Sequence, residues 1–183
     1  MNSLYKGFIP TSGKKATMTF KDKSSSELLT LEQAQRFPEY AGILEENTVL
    51  VDIDDEEQSK ILLKIVESKQ LKCKVYATTR GMHFLFKIPT SMPNRTHCKL
   101  GIALTADIKG CGKASYQVLK FDGKEREVLY DTGEYQLLPK WLYPIKSNMD
   151  LLGMCSGDGR NNALFSYILP LQQNEFNVEE CRE

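Results

Sequence analysis

One short segment, TVLVDID at residues 48–54, most limits how this chain can fold. Its apolar residues are consecutive rather than alternating, which is typical of a strand buried on both faces. Asp55, with Gln58 three residues later, then begins an apolar stripe of helical spacing that continues to about Lys69. The order of strand, sharp turn and helix predicts a central strand in a sheet that a helix covers.

Later segments predict further strands with no long helix between them. Gly81 separates two of them as a hairpin, and Asp122-Gly123 predicts a turn between another two. Thr30, with Gln33 three residues on, predicts a short capped helix ending near Pro38. We therefore expect a mixed α and β fold, with a mixed or antiparallel sheet and helices packed against it. The predicted strands are 73–79, 82–88, 100–110, 115–121 and 126–131.

The composition changes after about residue 147. The segment SGDGRNNALFSYIL predicts a glycine-rich turn followed by a helix, and Asn177 predicts the cap of another helix. We predict one domain over residues 1–147 and the start of a C-terminal helical segment over 148–183. We also expect the chain to be part of a longer protein.

Charge and hydropathy exclude several classes of protein. Among the 183 residues, 24 basic side chains balance 24 acidic ones, so no global basic field favours nonspecific binding to nucleic acid. No apolar run approaches the ~20 residues that span a bilayer, and the first residues lack the apolar core of a signal peptide. The five cysteines are scattered, which argues against a disulfide framework or zinc site. We expect a cytoplasmic protein with reduced thiols and no membrane partner.

Three aspartates are candidate metal ligands. Asp52 and Asp54 are two residues apart on a strand, so they share a face at a spacing of ~6.6 Å. Carboxylates so placed can hold a hard divalent cation such as Mg²⁺. Asp107 adds a third carboxylate if its strand neighbours that of Asp52. The alternatives stay open: a D-x-D pair is common at strand ends, and an aspartate often begins a turn.

A second group of residues favours phosphate contact. Arg80 is a fork donor for phosphate oxygens, Gly81 permits close backbone approach, and His83 can donate to phosphate. Lys109, in a glycine-rich stretch, can cover a triphosphate or a template strand. Each also has an ordinary reading, as a structural histidine or a solvated lysine. Lys14 has the same potential, but a flexible charged terminus is the simpler interpretation.

The order VDID, RGMH and ADIKGCGKASYQVL resembles the primase-polymerase domain of the archaeo-eukaryotic primase superfamily. In that family, hhhDhD is the first motif, S-x-H the second and hD the third, where h is hydrophobic. Asp52 and Asp54 match the first motif, His83 the second and Asp107 the third. The SGDGRNNALFSYIL segment resembles the helical region that often follows this domain in phage and plasmid replication proteins. The resemblance covers roughly residues 5–170.

The resemblance implies metal-dependent, template-directed nucleotidyl transfer by a DNA primase or polymerase. Two Mg²⁺ or Mn²⁺ ions would be held by three catalytic carboxylates: Asp52, Asp54 and Asp107. The phosphates of the nucleotide would be bound by His83, Arg80 and Lys109. The family usually has serine two residues before the histidine, where this chain has Gly81. The missing contact would then come from the backbone, from Thr79 or from Arg80.

The resemblance also implies a fold and partners. The acids would lie on an RRM-like sheet beside an N-terminal α/β module, giving an α+β fold. The expected partners are single-stranded DNA template, primer, dNTP or NTP, and a fused or associated helicase, in the cytoplasm of a bacterial host.

Two alternatives from other classes remain. One is a non-catalytic, RRM-like module that binds single-stranded nucleic acid, with Tyr76, Phe84 or Phe86 as stacking platforms, although we expect the Phe pair to be core. The other is a different palm-type metal enzyme, such as a nucleotide cyclase or nuclease.

Overall fold

A computed structural model describes residues 3–90, 92–110, 115–147, 154 and 159–182. These residues form two sheets, with strand orders β10-β9-β3-β1-β2 and β11-β5-β6-β4-β8-β7-β12, and every pairing between these strands is antiparallel. The strands are β1 Tyr5–Ser12, β2 Lys15–Ala16, β3 Tyr40–Leu44, β4 Thr48–Ile53, β5 Lys74–Ala77, β6 Met82–Lys87, β7 Arg95–Leu100, β8 Thr105–Lys109, β9 Tyr116–Phe121, β10 Lys124–Glu125, β11 Val128–Asp131 and β12 Pro144–Ile145.

Four α-helices accompany the sheets in the described residues, and their predicted caps are confirmed. The side chain of Thr30 accepts from the backbone of Gln33, and Oδ1 of Asp55 accepts the backbone N–H of Gln58 at 2.8 Å. Asn177 accepts the backbone N–H of Glu180 at 2.9 Å. The helices are α1 Leu31–Ala34, α2 Glu56–Ser68, α3 Arg160–Gln173 and α4 Val178–Arg182.

The molecule is layered, and the prediction of an α+β fold is confirmed. The largest core lies between the seven-stranded sheet and helices, and includes Phe84 and Phe86 of β6, Leu62 of α2 and Leu171 of α3. A smaller core, which includes Leu50, lies on the opposite face of the same sheet and joins it to the five-stranded sheet. No helix among the described residues is long and apolar enough to cross a bilayer.

Strand β4 lies in the middle of the larger sheet, as its continuous apolar run predicted. All six of its residues are buried. Because side chains alternate along a strand, Val51 and Ile53 face the helices, whereas Leu50 and Asp52 face the smaller sheet. The first acidic residue therefore lies on the face where the two sheets meet.

The prediction of one continuous strand over residues 100–110 was wrong. The chain reverses within it, because β7 ends at Leu100 and β8 begins at Thr105. Ala103 in this turn has a φ of 65°. A glycine or asparagine at this position would have predicted such a turn, but an alanine does not. Strand β7 therefore lies mostly between the predicted strands 82–88 and 100–110, where no strand was predicted, and His97 within it is exposed.

Other predicted turns are confirmed. Strands β5 and β6 form the hairpin around Gly81, and Asp122 and Gly123 both take positive φ between β9 and β10. Three predicted features lie outside the described residues. They are the part of the glycine-rich stretch of Lys109 at residues 111–114, the domain boundary at residue 148, and residues 156–158 of the glycine-rich turn before α3.

Candidate active site

Strand register brings three of the predicted residues together. Asp52 of β4 is paired directly with His83 of β6 on one side and with Asp107 of β8 on the other. Directly opposed residues of antiparallel strands project from the same face, with their Cβ atoms about 5 Å apart. Asp52 is therefore at the centre of a row of polar side chains across three adjacent strands.

Asp52 is a buried carboxylate, only 9% exposed, between two nitrogen groups. Nζ of Lys109 donates to its Oδ2 at 2.8 Å, and Nε2 of His83 lies 3.2 Å from its Oδ1. The second contact lacks hydrogen-bond geometry, so Oδ1 is buried without a hydrogen-bond partner among the described residues. Burial raises the pKa of Asp52, but His83 and Lys109 outweigh it and hold that pKa well below its usual range. Asp52 is thus ionised at neutral pH.

A hydrogen-bond chain from the smaller sheet fixes the imidazole of His83. The hydroxyl of Tyr5 donates to Oε1 of Gln117 at 2.7 Å, so the amide nitrogen of Gln117 faces Nδ1 of His83 at 3.0 Å. In this orientation of the amide, its nitrogen donates to Nδ1, which then carries no proton. The proton of the neutral ring is then on Nε2, which faces Asp52. Burial lowers the pKa of His83, and this outweighs the opposing effect of Asp52.

We predict that His83 titrates below its ordinary pKa of about 6.5. Because the folded protein favours the neutral ring, its free energy of unfolding decreases as the pH falls below that value, until the lower folded-state pKa is passed. Gln117→Glu would place a carboxylate at Nδ1 and raise the pKa of His83. An NMR titration measures this, and His97→Gln leaves a single histidine signal. An unchanged pKa in Gln117→Glu would contradict the proposed hydrogen-bond chain.

Asp54 and Arg80 form an exposed ion pair at the edge of this row. Nη2 of Arg80 lies 2.6 Å from Oδ2 of Asp54, and both side chains are more than half exposed. Both line a cavity of about 530 Å³, together with Asp52, Thr79, His83 and Lys109. Six of the seven predicted site residues therefore share this cavity.

Asp107 lies in an adjoining cavity of about 220 Å³, which Asp52 and Asp54 also line. Its Oδ1 accepts the backbone N–H of His97 at 2.7 Å. Within the described ranges, no three His, Cys, Asp or Glu side chains converge closely enough to hold a metal ion. Asp52 and Asp54 thus connect two cavities, with Asp107 on the far side.

Gly81 lies at the position where the family that the motifs resemble usually has serine, and its surroundings leave no room for a side chain. A Cβ atom there would lie 1.8 Å from the carbonyl oxygen of Ile53. The backbone N–H of Gly81 also donates to Oγ1 of Thr78 at 3.0 Å. The close approach of β6 to the end of β4 therefore excludes any side chain, and Thr78 supplies a hydroxyl nearby.

The smaller sheet and a loop contribute residues that local sequence patterns did not indicate. Gln117, 1% exposed, and Arg126 both line the main cavity. Lys14, for which a flexible terminus was the simpler interpretation, lines it as well. Nε of Arg126 donates to the carbonyl of Val118 at 2.7 Å, and its Nη1 to that of Ala77 at 3.2 Å, which joins the two sheets. One sequence pattern could have indicated that Gln117 is buried, because it lies two residues before the buried Leu119 on the same face of a strand. No such pattern indicated Arg126.

Comparisons of this chain with models of protein families, with curated proteins and with solved structures found no match. The function must therefore be inferred from the residues of the site.

Proposed function

We propose that this chain is a primase-polymerase domain that performs metal-dependent, template-directed nucleotidyl transfer in phage or plasmid DNA replication. The observation that carries the proposal is the pairing of Asp52 with His83 on one neighbouring strand and with Asp107 on the other. Residues far apart in the sequence thus form one row at the junction of two cavities. The expected partners are single-stranded template, primer, dNTP or NTP, and a helicase.

The charges of the main cavity suit a nucleoside triphosphate. Arg80, Lys109 and Arg126 line it along with the carboxylates of Asp52 and Asp54. Its volume, about 530 Å³, is within the range of ordinary small-molecule sites. Arginine binds phosphate in a bidentate manner and lysine as a point charge. These cations support a role in gripping the phosphates, and His83 lines the same cavity.

The carboxylates suit Mg²⁺ or Mn²⁺ by two criteria. Their oxygens are the hard ligands that these ions prefer, and Oδ1 of Asp52 is buried without a hydrogen-bond partner among the described residues. Asp52 and Asp54 would hold the ion nearest the main cavity, and Asp107 would contribute from the adjoining one. Bound divalent cations would lower the pKa of the attacking hydroxyl and neutralise charge on the departing pyrophosphate.

Two cations of the site, Lys109 and Arg80, form ion pairs with its carboxylates in the absence of a nucleotide. Lys109 now pairs with Asp52, and Arg80 with Asp54. The first pair compensates the buried carboxylate of Asp52 and so avoids the cost of an unpaired buried charge, whereas the second pair is exposed to solvent. When a nucleotide binds, we expect Arg80 and Lys109 to exchange carboxylate for phosphate oxygens. Thr79 lines the same cavity and offers a hydroxyl to the nucleotide.

Primer extension with Asp107→Asn tests this proposal. We expect wild type to extend a labelled primer with Mg²⁺ or Mn²⁺, and Asp107→Asn to lose about 100-fold or more of that rate, because catalysis depends on charge stabilisation. The matched control is Asp122→Asn, the same change at an exposed turn of positive φ that asparagine tolerates. Equal rates in wild type and Asp107→Asn would remove Asp107 from the site.

The non-catalytic alternative is less well supported. An RRM-like binder stacks bases on exposed aromatic side chains of its sheet. Phe84 and Phe86 are fully buried, and Tyr76 is 7% exposed, so none offers a free platform. A different palm-type enzyme would show itself as hydrolysis or cyclisation of nucleotides without primer extension.

A further inference from the structure

A further cavity, of about 380 Å³, lies between the two sheets and shares only Arg126 with the lining of the main cavity. We call it the aromatic cavity, because five of its lining side chains carry rings: Tyr5, Phe8, Tyr40, Tyr76 and Tyr135. The rings of Tyr5, Phe8 and Tyr135 are partly exposed, and the centroids of the first two lie 5.6 Å apart. Small-molecule sites typically combine such walls with a few polar groups.

Two opposite charges at the aromatic cavity are available to a ligand. Lys74, the third charged group of the lining, is already paired with Asp131 at 2.9 Å. Burial and the nearby carboxylate of Glu125 raise the pKa of Tyr40 to about 12, so that carboxylate lies close to the phenol. Nε and Nη1 of Arg126 donate to backbone carbonyls, and neither bond uses Nη2. The cavity therefore offers a charged acceptor and a charged donor beside its rings.

We propose that the aromatic cavity binds a guanine base, as a nucleoside or a nucleotide. A planar base stacks on aromatic side chains. Guanine presents O6 and N7 to an arginine, and its exocyclic amine donates to an acceptor such as the carboxylate of Glu125. Arg126 would repel an organic cation and Glu125 an aromatic acid. A neutral ring with both donors and acceptors satisfies both side chains.

The aromatic cavity is connected to the candidate active site through two residues. Arg126 lines both this cavity and the main one. Tyr5 lines the aromatic cavity, and its hydroxyl donates to Gln117, whose amide faces Nδ1 of His83. A base stacked against Tyr5 would therefore change the surroundings of His83 without entering the main cavity. Such a ligand acts as an effector, and its binding does not depend on the proposed function.

Isothermal titration with guanosine, in buffer without metal, primer or template, tests the proposal. Guanosine has no phosphate and so lacks the groups that the cations of the main cavity would bind. The second probe is inosine, which lacks the exocyclic amine. We expect wild type to bind guanosine about 10-fold more tightly than inosine, the typical effect of one hydrogen bond to a charged group.

The variant is Glu125→Ala, and Glu127→Ala is the matched control. Both side chains are exposed, but only Glu125 lines the aromatic cavity. We expect Glu125→Ala to bind the two nucleosides equally and Glu127→Ala to discriminate as wild type does. NMR of the His97→Gln protein, with His83 as its single histidine, measures the connection to the candidate site. Saturating guanosine should shift the imidazole signal of His83, and an unchanged signal would overturn that connection.

Each result of the titrations has a defined meaning. Failure of guanosine to bind wild type at millimolar concentration would overturn the proposal, as would equal binding of guanosine and inosine. Unchanged discrimination in Glu125→Ala, or an equal loss in Glu127→Ala, would also overturn it. If wild type extends primers but does not bind guanosine, only the aromatic cavity is wrong. If guanosine binds as expected while wild type extends no primer, the aromatic cavity stands and the proposed function is wrong.

Discussion

Gly81→Ser, which would introduce the serine usual in the family that the motifs resemble, is expected to destabilise this protein by more than about 3 kcal/mol. A Cβ atom at this position would lie 1.8 Å from the backbone oxygen of Ile53, and backbone cannot move aside as a flexible side chain can. The end of β4 would have to separate from β6, which would also displace Asp52 and His83. Chemical denaturation followed by circular dichroism measures the loss.

Two other glycines separate this effect from ordinary backbone strain. Gly110→Ala should be comparably destabilising, because its Cβ would lie 1.8 Å from the carbonyl oxygen of Met92. At Gly123, φ is 71° but no atom lies within 4 Å of the added Cβ. Gly123→Ala should therefore cost only the 1–2 kcal/mol or so of a left-handed residue. If Gly81→Ser were as stable as wild type, the close approach of β4 and β6 would be contradicted.

Asp52→Asn is expected to reduce primer extension by about 1,000-fold or more while leaving the protein folded. Asparagine keeps the shape of aspartate but removes the charge that faces both cavities, and catalysis of this type depends on fixed charge. Mn²⁺ should also bind more weakly, as measured by isothermal titration. Asp122→Asn again serves as the control. Equal extension and equal Mn²⁺ binding in Asp52→Asn and wild type would exclude Asp52 from the reaction.

The same variant changes how stability depends on pH. The pKa of Asp52 is depressed in the folded state, so its ionised form contributes stability above the unfolded pKa of about 3.9. That contribution is lost as the pH falls through the lower folded-state pKa. Asp52→Asn should therefore lose less stability than wild type on acidification. Thermal unfolding over a series of acidic pH values measures the difference.

Local patterns predicted the parts of the fold that depend on neighbouring residues. The apolar run before Asp52 indicated a central strand, and Thr30, Asp55 and Asn177 indicated helix caps, because each signal acts within a few residues. The turn at Ala103 was missed, because tertiary packing rather than residue type sets its positive φ. Sequence patterns of this kind therefore predict the structure of a few neighbouring residues only.

The residues of the candidate site also divide into those that local sequence patterns indicated and those that depend on tertiary packing. Its acids were recognisable because D-x-D on a strand defines a shared face without any knowledge of the partner strands. Gln117 and Arg126 were not, because their roles depend on contacts between two sheets that no local spacing encodes. The salt links of Asp52 and Asp54 to Lys109 and Arg80 were likewise invisible, although all four residues were chosen as site residues.

The contact of Tyr5 with Gln117 makes the first strand a remote part of the candidate site. A fragment that starts after β1 would retain every aspartate and histidine of the motifs. It would nevertheless release the amide that sets the proton on His83, so that the imidazole could exchange between its two neutral forms. Truncation at this end would then alter proton placement nearly eighty residues away in the sequence, with no motif residue removed.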